Sequence, residues 1–188
     1  MTTTAHDTVD PTTVPRLTLA GGATIPMLGL GTFGSDRFSL EDIAEAVGVA
    51  LRTGYRLVDC ASVYANEHLI GPVLKSTMAE LGLSRDEVFV ISKVWNDAHD
   101  PAAAVASVHK SLADLGLEHL DALLIHWPFP NTHERFAAPD ARNPSSRPYI
   151  HAEYMAMYHA LEELVDAGLV RHLGVSNMTI PKLRLVLR

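Results

Sequence analysis

Gly54-Tyr55-Arg56-Leu57-Val58-Asp59-Cys60-Ala61-Ser62-Val63-Tyr64-Ala65-Asn66-Glu67 is the stretch on which the reading of this chain turns. Leu57 and Val58 read as a short apolar strand that ends on Asp59, where strand gives way to loop. An acid closing a buried strand is costly unless a cation pairs with it. The same cation would lower the pKa of a phenol on the adjoining loop from its ordinary value of roughly 10, and Tyr64 stands on that loop. The neighbouring strand ends should therefore supply a positive charge.

Outward from this stretch the pattern is strand, helix, strand, helix. Upstream, 28–33 reads as a strand. Ser39 then caps a helix whose apolar residues Leu40, Ile43, Ala44, Val47 and Leu51 recur at helical spacing up to Gly54. The strand 56–60 follows, then a helix bearing Ile70, Val73, Leu74 and Leu81 that stops at Gly82. A third strand, 88–93, precedes Asp100 as N-cap, Pro101 at the first helical position, and a stripe of Val105, Val108, Leu112 and Leu115 ended by Gly116. Strand four is 122–126. A polar, proline-rich insertion at 128–148 separates it from a helix carrying Tyr154, Met157, Leu161, Leu164 and Val165, with Gly168 as its stop. Strand five is 171–175, and a last helix starts near Thr179 and Pro181. Ahead of all this, 16–27 alternates around Leu17, Leu19 and Ile25 and predicts a hairpin with Gly21-Gly22 as a two-residue turn. Residues 1–15 are polar and threonine-rich, which predicts a disordered tail, leaving 16–188 as one domain. Near-continuous apolar strands, each followed by a helix, indicate a parallel sheet covered on both faces. An open doubly wound sheet and a closed eight-stranded barrel both fit that pattern.

Composition narrows the class of partner. A net charge of −7 with scattered Lys and Arg argues against a surface that tracks nucleic-acid phosphates. Cys60 is the only cysteine, which excludes an internal disulfide and a thiolate metal cluster and suits a reducing compartment. No apolar run approaches the ~20 residues of a membrane span, and no basic-then-apolar signal opens the chain, so the expected setting is cytoplasmic.

Ile91-Ser92-Lys93 ends the third strand and Ile125-His126 the fourth. With Asp59, an acid, an ammonium and an imidazole stand at the C-terminal ends of three successive strands, where barrel enzymes build their active sites. These residues resemble the aldo-keto reductases. Gly-Tyr-Arg-Leu-Val-Asp-Cys-Ala-Ser-Val-Tyr at 54–64 is similar to that family's strand-two signature, Ile-Ser-Lys-Val-Trp at 91–95 to its strand-three signature, and Leu-Leu-Ile-His-Trp-Pro at 123–128 to its strand-four signature. The resemblance implies a (β/α)8 TIM-barrel type fold, here about five of the eight βα units behind an N-terminal β-hairpin. It puts the catalytic tetrad on Asp59, Tyr64, Lys93 and His126. It assigns Ser176 and Asn177, in Leu-Gly-Val-Ser-Asn at 173–177, to the nicotinamide carboxamide, and Gly31, Thr32 and Phe33, with Asp59, to contact with the cofactor. The implied cofactor is NADP(H), with NAD(H) open, and the implied partner is a small carbonyl compound. In that chemistry Tyr64 delivers a proton as charge develops on the carbonyl oxygen, Lys93 lowers the phenol pKa, Asp59 anchors Lys93, and His126 orients the substrate oxygen. Trp95, Trp127, Phe33 and Phe129 could wall the substrate pocket.

Three rival motifs fail on context. Gly29-Leu-Gly31-Thr-Phe-Gly34 has the spacing of a dinucleotide fingerprint, yet a hairpin precedes it and Ser35 to Ser39 separate it from the helix. The chain has no Tyr-x-x-x-Lys, the pair of the short-chain dehydrogenases. Ten histidines invite a metal, but there is no His-x-His or His-Glu-x-x-His, and Lys93 would repel a cation, so no metal is expected. His133, His151 and His159 read as surface or loop residues.

A barrel of eight units takes ~250 residues, and this chain reaches residue 188 inside an apolar helix. The expectation is the N-terminal part of a longer reductase whose full-length form is a monomer, while two open sheet edges would make this part prone to self-association. The alternative is a non-catalytic protein of the same fold that binds nucleotide or a partner.

Overall fold

The computed structural model describes residues 8–34, 36–130, 144 and 146–188. A β-hairpin opens the fold, with β1 (Arg16–Thr18) antiparallel to β2 (Thr24–Pro26) and Leu17 opposite Ile25. Its loop has three residues rather than the expected two. Leu19 N–H donates to Ala23 O at 2.7 Å and Gly22 N–H to Leu19 O at 2.9 Å, so Ala20, Gly21 and Gly22 turn the chain. Gly22, at φ +86, takes the left-handed position that closes such a loop without a Cβ clash.

Five βα units follow: β3 (Leu30–Gly31), α1 (Leu40–Thr53), β4 (Leu57–Asp59), α2 (Glu67–Leu81), β5 (Phe89–Val94), α3 (Pro101–Leu115), β6 (Leu120–Ile125), α4 (His151–Asp166), β7 (Val170–Val175) and α5 (Ile180–Val186). Capping chemistry sets most helix ends. Ser39 and Asp42 form a reciprocal capping box on α1, Asp100 accepts from Ala102 and Ala103 N–H at the start of α3, and Gly54, Gly82 and Gly116 end α1 to α3 in the left-handed region.

The parallel strands lie in the order β3-β4-β5-β6-β7. Consecutive helices pack on one another, α1 on α2, α2 on α3 and α3 on α4. A doubly wound sheet would reverse its strand order partway and split its helices between two faces; a sequential order with one helical layer is the arc of a singly wound barrel. The fold is therefore α/β, a parallel (β/α)8 TIM-barrel type with five units present. The main core lies between arc and helices, around Val47, Leu51, Ile70, Leu74, Leu115, Leu123, Met157 and Leu161. A second cluster of Leu57, Phe89 and Ala122 lines the concave face near the strand starts, and Ile25 of the hairpin plugs it.

Two sequence expectations change in extent. The strand expected at 28–33 shrinks to two residues because Met27 N–H pairs with Pro15 O, which ties that end to the hairpin, and β3 pairs on one side only. Of the tail expected over 1–15, residues 8–15 make ordered contacts. Val9 N–H donates to Thr53 O at 2.8 Å and Asp10 caps a 3-10 turn at Pro11–Thr13; residues 1–7 lie outside the described residues. So does most of the 128–148 insertion, His133 included, although Arg147 N–H donates to Pro130 O and brings its two ends together.

Candidate active site

Parallel pairing puts every strand's C-terminus at one mouth, and register decides which side chains share it. Gly31 pairs with Asp59, Asp59 with Ile91, and Lys93 with Leu124. From β5, Lys93 reaches back across β4: its Nζ donates to Asp59 Oδ1 at 2.6 Å and to Cys60 O at 2.8 Å. The cation that Asp59 required is thus Lys93. The Lys93 side chain is 8% exposed and that of Asp59 37%, so one partner is held out of water while the other keeps part of its hydration.

Tyr64 stands on a 3-10 turn, Ser62–Tyr64, between β4 and α2. Lys93 Nζ lies 5.4 Å from its ring centroid, the His126 ring meets it edge-on at 5.9 Å, and the Phe33 ring at 5.2 Å. Trp95 is buried edge-on against His126 at 4.9 Å, and Trp127 packs beside it with Ala61 and Val63. All four tetrad candidates and both tryptophans therefore share one mouth. Phe129 instead meets Lys182 of α5, whose Nζ is 5.0 Å from its ring.

The electrostatics correct one expectation. Tyr64 is not acidified; its phenol is pushed up to about 12 by burial, and then by the nearby Asp59 and Cys60. Tyr64 is thus a protonated phenol at neutral pH. His126 is held down to about 4 by burial and then by the Lys93 charge, so it is a neutral imidazole with one N–H and one lone pair. The Cys60 thiol, fully buried, is pushed up to about 12 chiefly by burial, which makes it an inert core residue.

The cofactor candidates divide. Gly31 faces open space where a Cβ would stand. The Thr32 side chain is fully buried, and its hydroxyl donates to Asp59 O at 3.1 Å, so it serves as a strut under the site. Phe33 is 61% exposed at the rim. At the end of β7, Ser176 N–H donates to Ile125 O, and Asn177, left-handed at φ +55, donates from Nδ2 to His126 O at 2.7 Å and to Ser176 Oγ at 3.1 Å. This leaves Asn177 Oδ1 as an acceptor and the Ser176 hydroxyl as a donor beside His126, whose Nδ1 is buried and has no hydrogen-bond partner among the described residues. A donor and an acceptor side by side fit the carboxamide of a nicotinamide. Gly29 does not act as a phosphate-cradling glycine: a Cβ there would meet Leu57 Cδ2 at 2.1 Å, so it is a packing contact. His151 bonds Tyr149 and His159 bonds Glu162, and no group of three or more His, Cys, Asp or Glu among the described residues could hold a metal. No helix among them is long and apolar enough to cross a membrane.

Sequence reasoning passed over three supporting residues. Ser62 Oγ donates to Lys93 O at 3.0 Å and Asn66 Nδ2 to Thr32 O at 2.8 Å. Glu67, only 3% exposed, accepts from Ser92 Oγ at 2.6 Å and Ser111 Oγ at 2.7 Å. A carboxylate opening a helix otherwise reads as a solvated first-turn acid, so no local signal marked it as buried.

Residues 27–188 match the Aldo/keto reductase family. The chain is 41% identical over 173 residues to an aldo/keto reductase of Synechocystis sp., covering 90% of this chain and 50% of that protein. It is 41% identical over 169 residues to aldo-keto reductase family 1 member A1 of Rattus norvegicus, covering 89% and 50%. Among solved structures, the aldose reductase of Schistosoma japonicum aligns with TM-score 0.80 at 34% identity, covering 92% of this chain and 56% of that one. The Bombyx mori aldo-keto reductase in complex with NADP aligns with TM-score 0.77 at 31% identity, covering 93% and 54%. The chain spans about half the length of the curated relatives it matches. By its strand-end constellation, its arc of five βα units and these similarities, the chain belongs to the aldo/keto reductase family.

Proposed function

We propose that this chain carries the catalytic part of an oxidoreductase that reduces small aldehydes and ketones to alcohols with NADPH, Tyr64 being the proton donor. The observation that carries the reading is the ion pair of Lys93 with Asp59 directly beneath a protonated Tyr64, with neutral His126 across the same mouth. Ser176 and Asn177 would hold the nicotinamide, which supplies a hydride to the carbonyl carbon when bound. As charge builds on the substrate oxygen, Tyr64 O–H delivers its proton there. The resulting tyrosinate is stabilised by Lys93, which Asp59 keeps charged and aimed. His126, uncharged at pH 7, can orient the carbonyl through its N–H without competing as an acid. Trp95, Trp127 and Phe33 would exclude water from the carbonyl. The NADP complex of the Bombyx mori relative favours NADP(H) as the cofactor. One buried cysteine suits a reducing, cytoplasmic setting.

The test is NADPH oxidation with a reactive aldehyde, assayed at saturating cofactor because the relatives extend well beyond the length this chain spans. Tyr64→Phe should lower the rate about 10²- to 10⁴-fold with the melting temperature unchanged. A folded chain that binds NADPH and turns over no aldehyde would instead support the non-catalytic reading.

A further inference from the structure

We propose that Glu67 is the positioning residue for Tyr64, holding the phenol against Lys93 by tying the turn that bears it to β5 and α3 at once. The kinetic part of this inference rests on the reductase reading above. Glu67 is the first residue of α2, three positions after Tyr64, and its partner Ser92 adjoins Lys93. Its second oxygen accepts from Ser111 in the middle of α3. Burying a carboxylate between helices is costly, and burial raises its pKa above the usual range even with two hydroxyl donors. An apolar residue of similar size would serve packing as well or better. What the carboxylate adds is direction: two short bonds to two different elements.

The turn needs such an anchor. Ala65, between Tyr64 and the helix, is left-handed at φ +53, a conformation that a side chain with a Cβ resists. Its neighbours hold it there: Ser62 on Lys93 O, Asn66 on Thr32 O, and Glu67 on Ser92 and Ser111. With the Glu67 tie removed, Ala65 can relax toward the right-handed region, and the Tyr64 ring swings away from Lys93 and His126.

The experiment follows Tyr64 directly. In chain labelled with 3-fluorotyrosine, the Tyr64 ¹⁹F resonance is assigned by its loss in Tyr64→Phe. Glu67→Met should shift or broaden that resonance while those of Tyr154 and Tyr158 stay in place. Glu67→Gln, which keeps an acceptor, should remain near wild type. Adding Ala65→Gly to Glu67→Met should return the resonance toward wild type, because glycine takes the left-handed conformation freely. In the NADPH assay, Glu67→Met should lower kcat about ten- to a hundred-fold with KM little changed. A lowered melting temperature with both the resonance and kcat unmoved would overturn the proposal and leave Glu67 a structural residue. If Tyr64→Phe itself left reduction intact, the role of Tyr64 as proton donor would fail, and a folded, NADPH-binding wild-type chain that turned over no aldehyde would sink the reductase reading, while the resonance would still decide the positioning claim.

Discussion

Gly71 tests whether helix α2 is seated on α3 as tightly as the site requires. A Cβ at Gly71 would lie 2.5 Å from Asp114 O, 2.7 Å from Leu115 C and 2.7 Å from Leu115 O. All three are backbone atoms of α3 or its last turn, so no rotamer change relieves the overlap, and the helices must part by a large fraction of an ångström. Two effects oppose each other in Gly71→Ala. Alanine gains about 1 kcal/mol over glycine in a helix interior. Overpacking a rigid contact costs about 1–3 kcal/mol, through lost dispersion contacts along the interface of Leu74, Val108, Leu112 and Leu115. Three rigid backbone contacts under 3 Å put the overpacking cost in the upper half of that range, about 2–3 kcal/mol, so the second effect wins for a net loss of about 1–2 kcal/mol. Gly48→Ala in α1 is the control, because its Cβ would meet only side-chain atoms of Arg52, Thr77 and Val73, at 3.1 Å, an overlap of a few tenths of an ångström that a small shift relieves and the helix propensity of alanine offsets. Urea unfolding followed by circular dichroism should show a midpoint lowered by about 0.5–1 M for Gly71→Ala, with Gly48→Ala close to wild type. Because Glu67 sits one turn before Gly71 on the same face, Gly71→Ala should also disturb its bond to Ser111. A Gly71→Ala chain as stable as wild type, or more so, would refute the close seating of α2 on α3.

His126 and His99 are both held down to about 4, mainly by burial, against an ordinary value of 6.5. The unfolded chain binds protons on both between pH 6.5 and 4 while the folded chain does not, so their contribution to stability is full above pH 6.5 and is lost as pH falls toward 4. Glu67, with a raised pKa, acts in the opposite sense, so the comparison is between proteins: the urea midpoint of His126→Gln should fall less than that of wild type between pH 7 and 4.5, and parallel curves would count against a buried neutral His126. Cys60, fully buried with its thiol pushed up to about 12, should resist a disulfide reagent in the folded chain and react only as fast as the chain opens. Prompt stoichiometric labelling in native buffer would contradict its place in the core.

Much of this protein was written locally. Ser39, Asp100 with Pro101, and Gly54, Gly82 and Gly116 mark helix ends through capping and left-handed chemistry that depends only on adjacent residues. Asp59, Lys93 and His126 could be recognised because each closes an apolar strand, and parallel strands must present their C-terminal ends together. Tertiary structure alone decided the rest, because the interactions concerned join distant parts of the chain. Glu67 meets serines on β5 and α3, and Gly71 meets the backbone of α3's last turn; neither contact leaves a periodic trace in sequence. The strand order that separates a barrel arc from a doubly wound sheet is a matter of which neighbours pair. The acidity of Tyr64 followed the same rule. The identities of phenol and ammonium suggested a lowered pKa, but burial and then the charges of Asp59 and Cys60, which only the folded arc brings beside the ring, turned the shift upward.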